Sequence, residues 1–265
     1  MKNLYIEGVQ GMGKSTLLNS LSAAMPEYRI CREGDYSPID LAWCTWMTKE
    51  EYETVLKCYE SIQDEIKKNT VQDGEHFVVS YTKIITNIPN FHKELEKFEI
   101  YNGRKTLQEL KKIIFARYER FAETGYLFEC SFFQNIIEDL ILFHLLSDEK
   151  IVEFYRELYS KINTEDFLLL YLSSEKLEEN IKVIKKERCD NEGNEMWYSL
   201  MLEYFKNSPY SKKYNKETFE DMIAHFVHRQ ELEKRIIGEV VGDRAIILPS
   251  KEWKIDEVVA LIEER

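Results

Sequence analysis

Apolar residues fall into two spacings along this chain. Short β-prone runs occur at 3–7 (NLYIE), 28–31 (YRIC), 126–129 (YLFE), 167–172 (FLLLYL) and 245–248 (AIIL). Their length and aromatic or branched content suit strands, and the unbroken run at 167–172 has the pattern of a strand buried on both faces. Longer stretches with helical spacing lie between them. The first follows Lys14, with Leu17, Leu18, Leu21 and Met25 on one face, and a long one runs from about Ile39 to Lys68. A charged one runs from Thr106 to Thr124 and stops at Gly125; others cover 132–146, 149–162, 175–188, 195–206, 216–237 and 254–264. Five strands separated by helical crossovers predict an α/β fold: three layers, α/β/α, around a five-stranded parallel sheet. The segment 76–89 (HFVVSYTKIITNIP) is β-prone, ends at a proline and has no evident partner, so the region around 70–105 reads as an insertion in a helix-rich chain. No repeat, low-complexity tract or linker interrupts the pattern, and residues 1–265 count as a single domain.

Charge and cysteine content then remove several classes of function. With Lys+Arg 36 against Asp+Glu 48 the net charge is -12, which argues against polymeric nucleic acid or an anionic membrane as partner, since phosphate backbones are held by basic stripes. Hydrophobic residues at 44% supply a core and exclude general disorder. The five cysteines show no C-x-x-C pair or other metal-ligand spacing. No basic region followed by an apolar stretch opens the chain, and the apolar runs are too short to span a bilayer. These features point to a soluble protein of the reducing cytoplasm.

The strongest motif joins the first strand to the first helix. Gly8-Val9-Gln10-Gly11-Met12-Gly13-Lys14-Ser15 matches G-x-x-x-x-G-K-[ST] in full. Gly8, Gly11 and Gly13 let backbone N–H groups wrap a phosphate, and the helix start adds its positive end. Lys14 bridges the β- and γ-phosphates, Ser15 ligates Mg²⁺, and Thr16 completes the set of nucleotide-binding residues. The implied cofactors are ATP and Mg²⁺. The guanine-specifying N-K-x-D is absent, as are the L-S-G-G-Q element and the apolar strand ending in Asp-Glu that motor and transporter ATPases carry. A small-molecule phosphotransferase remains.

With that loop in hand, four segments together resemble the deoxynucleoside kinase and thymidylate kinase branch of P-loop kinases: YIEGVQGMGKSTL, CREGDYSP, YLFECS and YLSSEKLEENIKVIKKER. The resemblance implies a P-loop kinase that moves the γ-phosphoryl group of ATP to a nucleoside, a nucleotide or a similar small-molecule acceptor. It implies that Glu33, after the second strand, accepts the proton of the attacking hydroxyl or orders the Mg²⁺ shell, with Asp35 as its rival and Arg32 beside it. Glu129, closing the third strand, would hold Mg²⁺ with Ser15, and Ser131 fits the family's third position. The family carries an arginine where Cys130 stands here, which turns the expectation toward an uncharged acceptor unless Arg32, Arg117 or Arg120 restores the charge. Cys130 itself reads as a packed small hydrophobe. A lid spanning about 175–195 would bring Arg188, helped by Lys182, Lys185 and Lys186, to the γ-phosphate.

Aromatic residues supply the remaining acceptor-site candidates. Tyr36, Trp43 and Trp46 follow the Glu33 turn, and on a helix the two tryptophans share a face that suits a planar ring or plain core packing. Arg117 joins this set as a cation. His225 and His228 are spaced for a shared metal but read more simply as ordinary helix residues. Two other readings stay open: a phosphotransferase for another alcohol such as an antibiotic, and a nucleotide-binding regulatory protein without catalysis. A homodimer is left open as well.

Overall fold

In the computed structural model, residues 1–181 and 197–265 are described. All five expected strands form. β1 (Asn3–Glu7), β2 (Arg29–Cys31), β5 (Tyr126–Glu129), β6 (Phe167–Ser173) and β7 (Ala245–Pro249) make one five-stranded parallel sheet in the order β2-β5-β1-β6-β7. The protein is thus α/β, consistent with three layers. Burial tracks this order: every residue of β1, at the centre, is buried, while β7 at one edge alternates and β2 at the other buries only Cys31. A strand paired on both sides and covered on both faces needs an unbroken apolar run, and an edge strand does not. The parallel register sets Ile6 opposite Glu129 and Glu7 opposite Tyr171, so these polar side chains share the carboxyl edge of the sheet.

The chain divides into two compact units, one made of 1–30 with 122–265 and the other of 31–121. The sequence reads as one domain with an insertion near 70–105; the second unit contains that segment and extends beyond it on both sides. Its helices are α2 (Lys49–Cys58), α3 (Gln63–Lys68), α4 (Phe91–Leu95) and α5 (Leu107–Arg120). In the first unit α1 (Lys14–Ala24) follows β1. Later come α6 (Gln134–Glu138), which continues as a π-helical turn at Asp139–Phe143, then α7 (Asp148–Tyr159), α8 (Trp197–Asn207), α9 (Pro209–Tyr214), α10 (Phe219–Ile236) and α11 (Ile255–Glu263).

Three local expectations change. The stretch from Ile39 to Lys68 is not one helix, because Ser37 Oγ accepts the Ile39 and Asp40 N–H groups and Asp40 accepts that of Ala42. Such turn bonds compete with helical ones. Helix starts only at Thr48, whose hydroxyl and Glu51 form a reciprocal capping box, and a 3₁₀ turn at Glu60–Ile62 breaks it again. The β-prone segment does have a partner: β4 (His76–Val79) pairs antiparallel with β3 (Thr70–Asp73) through a turn at Gly74, φ 61°. Gly125 is no helix stop. α5 ends at Arg120, and the Gly125 carbonyl instead accepts the N–H of Arg29. The second unit has its own core, in which Met47, Tyr52, Val55, Ile66, Val79 and Phe91 are all buried. Among the described residues no helix is long and apolar enough to cross a membrane.

Candidate functional site

The glycine loop begins where β1 ends. At Gly8 φ is 138°, and a Cβ there would sit 2.5 Å from the Leu172 carbonyl oxygen, so no other residue fits. Gly11 and Gly13 also have positive φ, 82° and 90°. The chain turns directly into α1, whose first residue, Lys14, is buried and donates from Nζ to the carbonyls of Gly8 (2.7 Å) and Val9 (3.0 Å). Ser15 Oγ donates to Glu129 Oε1 at 2.5 Å, while Thr16 lies exposed on α1. A hydroxyl and a carboxylate are hard oxygen donors, the pair that Mg²⁺ accepts alongside water and phosphate oxygens. Among the described residues no cluster of three or more His, Cys, Asp or Glu side chains is arranged for a metal, so any cation here would rely on such a mixed shell.

Beneath the loop lies a buried ionic network that the sequence reading did not find. Both oxygens of Glu7 accept backbone N–H groups, from Phe132 (2.5 Å) and Gln134 (3.3 Å), just after the Glu129-Cys130-Ser131 segment. Burial pushes the Glu7 carboxyl up to about 8 against the pull of those bonds. Glu233 on α10 accepts from Tyr171 at 2.7 Å and lies 2.9 Å from Arg229 Nε; burial raises it too. Arg229 also donates to Glu138 at 2.5 Å, and His225 Nε2 lies 2.7 Å from the same carboxylate. Burial alone would raise Glu138, but His225 and Arg229 outweigh it and hold it at about 2. Gln10, in the glycine loop, reaches Glu138 at 3.4 Å. His225 and His228 therefore face separate carboxylates, Glu138 and Asp148. Only Glu7 had a local signal, its place directly before Gly8.

Beside the loop, at the carboxyl ends of β6 and β7, is a cavity of 390 Å³ whose lining includes Ser174, Leu248, Pro249 and Ser250 with the charged Glu175, Lys176 and Glu252. Ser250 Oγ donates to the Met12 carbonyl at 3.0 Å and ties this wall to the glycine loop. Cys130 is packed and buried, as expected; it has φ 59°, and its N–H donates to the Ile6 carbonyl.

The other candidates lie in the second unit and separate into two groups. Glu33 accepts from Trp43 Nε1 at 3.0 Å, while Asp35 accepts the Arg32 N–H at 3.1 Å and pairs with Lys83. Trp43 is 46% exposed with φ 57° and is not helical, so it shares no face with Trp46, which stacks on His76 at 4.0 Å. The loop bonds that end the expected helix explain this correction. The second group centres on Asp73, which pairs with Arg117 and Arg120 and accepts from Tyr36 at 3.3 Å. Arg117, an acceptor-site candidate, is 2% exposed. Its guanidinium also donates to the Ser37 carbonyl at 2.5 Å, and with Arg120 it outweighs burial to keep the Asp73 carboxyl below its usual range. Arg188, Lys182, Lys185 and Lys186 lie outside the described residues. No protein-family model matches this chain, and no curated protein matches it.

Proposed function

We propose that the protein is an ATP-dependent P-loop phosphotransferase that moves the γ-phosphoryl group to a small-molecule acceptor, a nucleoside or nucleotide being the first class to test. The observation that carries this reading is the contact between Ser15 and Glu129 at the end of a complete phosphate-loop motif held between a strand and a helix. Bound Mg²⁺–ATP would supply the transferable phosphoryl group and neutralise its charge. The chain's own part is to bind and orient. The N–H groups around Gly11 and Gly13 and the start of α1 cradle phosphate oxygens. Lys14, now bonded to two loop carbonyls, supplies the cation, and Ser15 with Glu129 supplies the metal's oxygen donors. The cavity bounded by Ser174, Leu248 and Pro249 lies on the loop's β6–β7 side and suits the nucleoside end of the donor. By its place after the second strand, Glu33 takes the general-base role.

An ATP-consumption screen across nucleosides, nucleotides and aminoglycosides tests the reading. Activity should vanish in Lys14→Ala by more than weakened ATP binding explains, and Glu33→Gln should lower kcat by roughly 10²–10⁴-fold with ATP affinity nearly intact. Turnover of Lys14→Ala within a few-fold of the parent overturns it. ATP binding without turnover on any acceptor would instead favour a nucleotide-binding regulatory protein.

A further inference from the structure

The second unit has a pocket of its own. A cavity of 390 Å³ opens between the loop carrying Trp46, the β3–β4 hairpin and α5. Its contents are unusual for a chain with net charge -12. Four cations line it: Lys105, Lys112, Arg117 and Arg120. The carboxylates on its wall, Glu51 and Glu109, are both committed to capping boxes, each accepting the N–H and hydroxyl of its threonine, Thr48 or Thr106. Asp73 neutralises one of the two arginines. Lys105 and Lys112 make no hydrogen bond or ion pair among the described residues, and the Arg120 side chain is 49% exposed. Arg117 is fully committed at both terminal nitrogens, yet its buried Nε–H has no acceptor among the described residues.

The remaining wall is flat and apolar. Trp46 and His76 stack with their planes 13° apart, and Ile113 and Ala116 of α5 continue the surface. Burial lowers the affinity of His76 for its proton, so the ring presents an uncharged aromatic surface at neutral pH. Two unpaired ammoniums and an accessible guanidinium beside an aromatic wall suit a ligand with negative charge at one end and a ring at the other.

We propose that this pocket binds a small anion carrying a flat ring, an aryl phosphate or an aromatic carboxylate, with Lys105, Lys112 and Arg120 on the charge and the Trp46–His76 pair beside the ring. The site belongs to the second unit alone, and the proposal stands whether or not the glycine loop carries nucleotide.

Titration calorimetry of the full chain with phenyl phosphate tests it, with inorganic phosphate and phenol as the ringless and uncharged comparisons. Saturable binding with Kd of about 1 mM or tighter is expected, weakening as salt is added. Each comparison ligand should bind at least about tenfold more weakly, because each loses one half of the site. The double variant Lys105→Glu with Lys112→Glu changes two side chains that make no hydrogen bond or ion pair among the described residues and should loosen phenyl phosphate at least about tenfold. His76→Ala should erase the preference over inorganic phosphate while leaving phosphate binding unchanged. Absence of saturable binding, equal affinity in the lysine double variant, or loss of binding in Lys14→Ala instead would each overturn the proposal, the last by moving the ligand to the glycine loop.

Discussion

Each unit holds a trio of arginine and carboxylate side chains, and the two are opposite in composition. In the first unit one arginine, Arg229, lies between two carboxylates, Glu138 and Glu233. In the second, one carboxylate, Asp73, lies between two arginines, Arg117 and Arg120. Setting aside His225, which also faces Glu138, each trio has one charge too many, and the two dispose of it differently. A carboxylate can hold a proton, so the acid-rich cluster stays fully buried with Glu233 and neighbouring Glu7 raised. A guanidinium cannot lose its proton, so the base-rich cluster keeps one member, Arg120, half in water.

The largest effect should come from removing the shared arginine. Arg229→Met leaves Glu138 and Glu233 buried without their cation and should cost about 3–5 kcal/mol in urea unfolding. Asp73→Asn is the mirror experiment. Arg117 keeps the Ser37 carbonyl and Arg120 turns to water, so the cost should be smaller, about 2–3 kcal/mol. Equal losses would mean that solvent access to Arg120 relieves nothing.

The pH dependence of stability separates Glu7 from Asp73 by sign. Glu7 holds its proton to about 8 in the folded chain and to 4.5 ordinarily, so across that window the folded state binds the extra proton. Stability from this group is present at the acid end and is lost as pH rises, by at most about 1.4 kcal/mol per pH unit. Asp73 is depressed below its ordinary 3.8, so its contribution is present above that value and is lost as pH falls. Unfolding free energies measured from about pH 3 to about pH 9 should fall less steeply on the alkaline side in Glu7→Gln and on the acid side in Asp73→Asn. The smallest effect is local: Thr106→Ala removes the capping box of α5, the helix that carries both arginines, and should cost about 1 kcal/mol in the same assay.

Particular residues show where sequence reasoning stopped. The helix expected from Thr106 does start there, because its box with Glu109 lies within one turn. The helix expected over Ile39–Lys68 failed at Ser37 and Asp40, whose side chains hold the following N–H groups in turns that apolar spacing does not register. The strand at 76–79 was legible as β-prone, but its partner, TVQD at 70–73, carries a single branched apolar residue and becomes a strand by pairing. The arginines of α5 were visible as cations, yet the partner that they share, Asp73, lies more than forty positions earlier, and with it Arg117 is buried.

What this chain encodes locally is therefore a set of elements: five strands, the crossovers between them, and a glycine loop whose spacing has chemical meaning before any folding. These follow from side-chain periodicity and backbone freedom, which act between near neighbours. The order of the strands, the division at residues 31 and 121, and the pairing of buried charges were decided only by the tertiary structure. Tyr171 and Glu233 are 62 positions apart, Glu138 and Arg229 are 91 apart, and neither pair has any periodic relation along the chain. They meet because burial removes water as the alternative partner, and each charged or polar group must then find its counterpart among whatever the packed elements bring within reach.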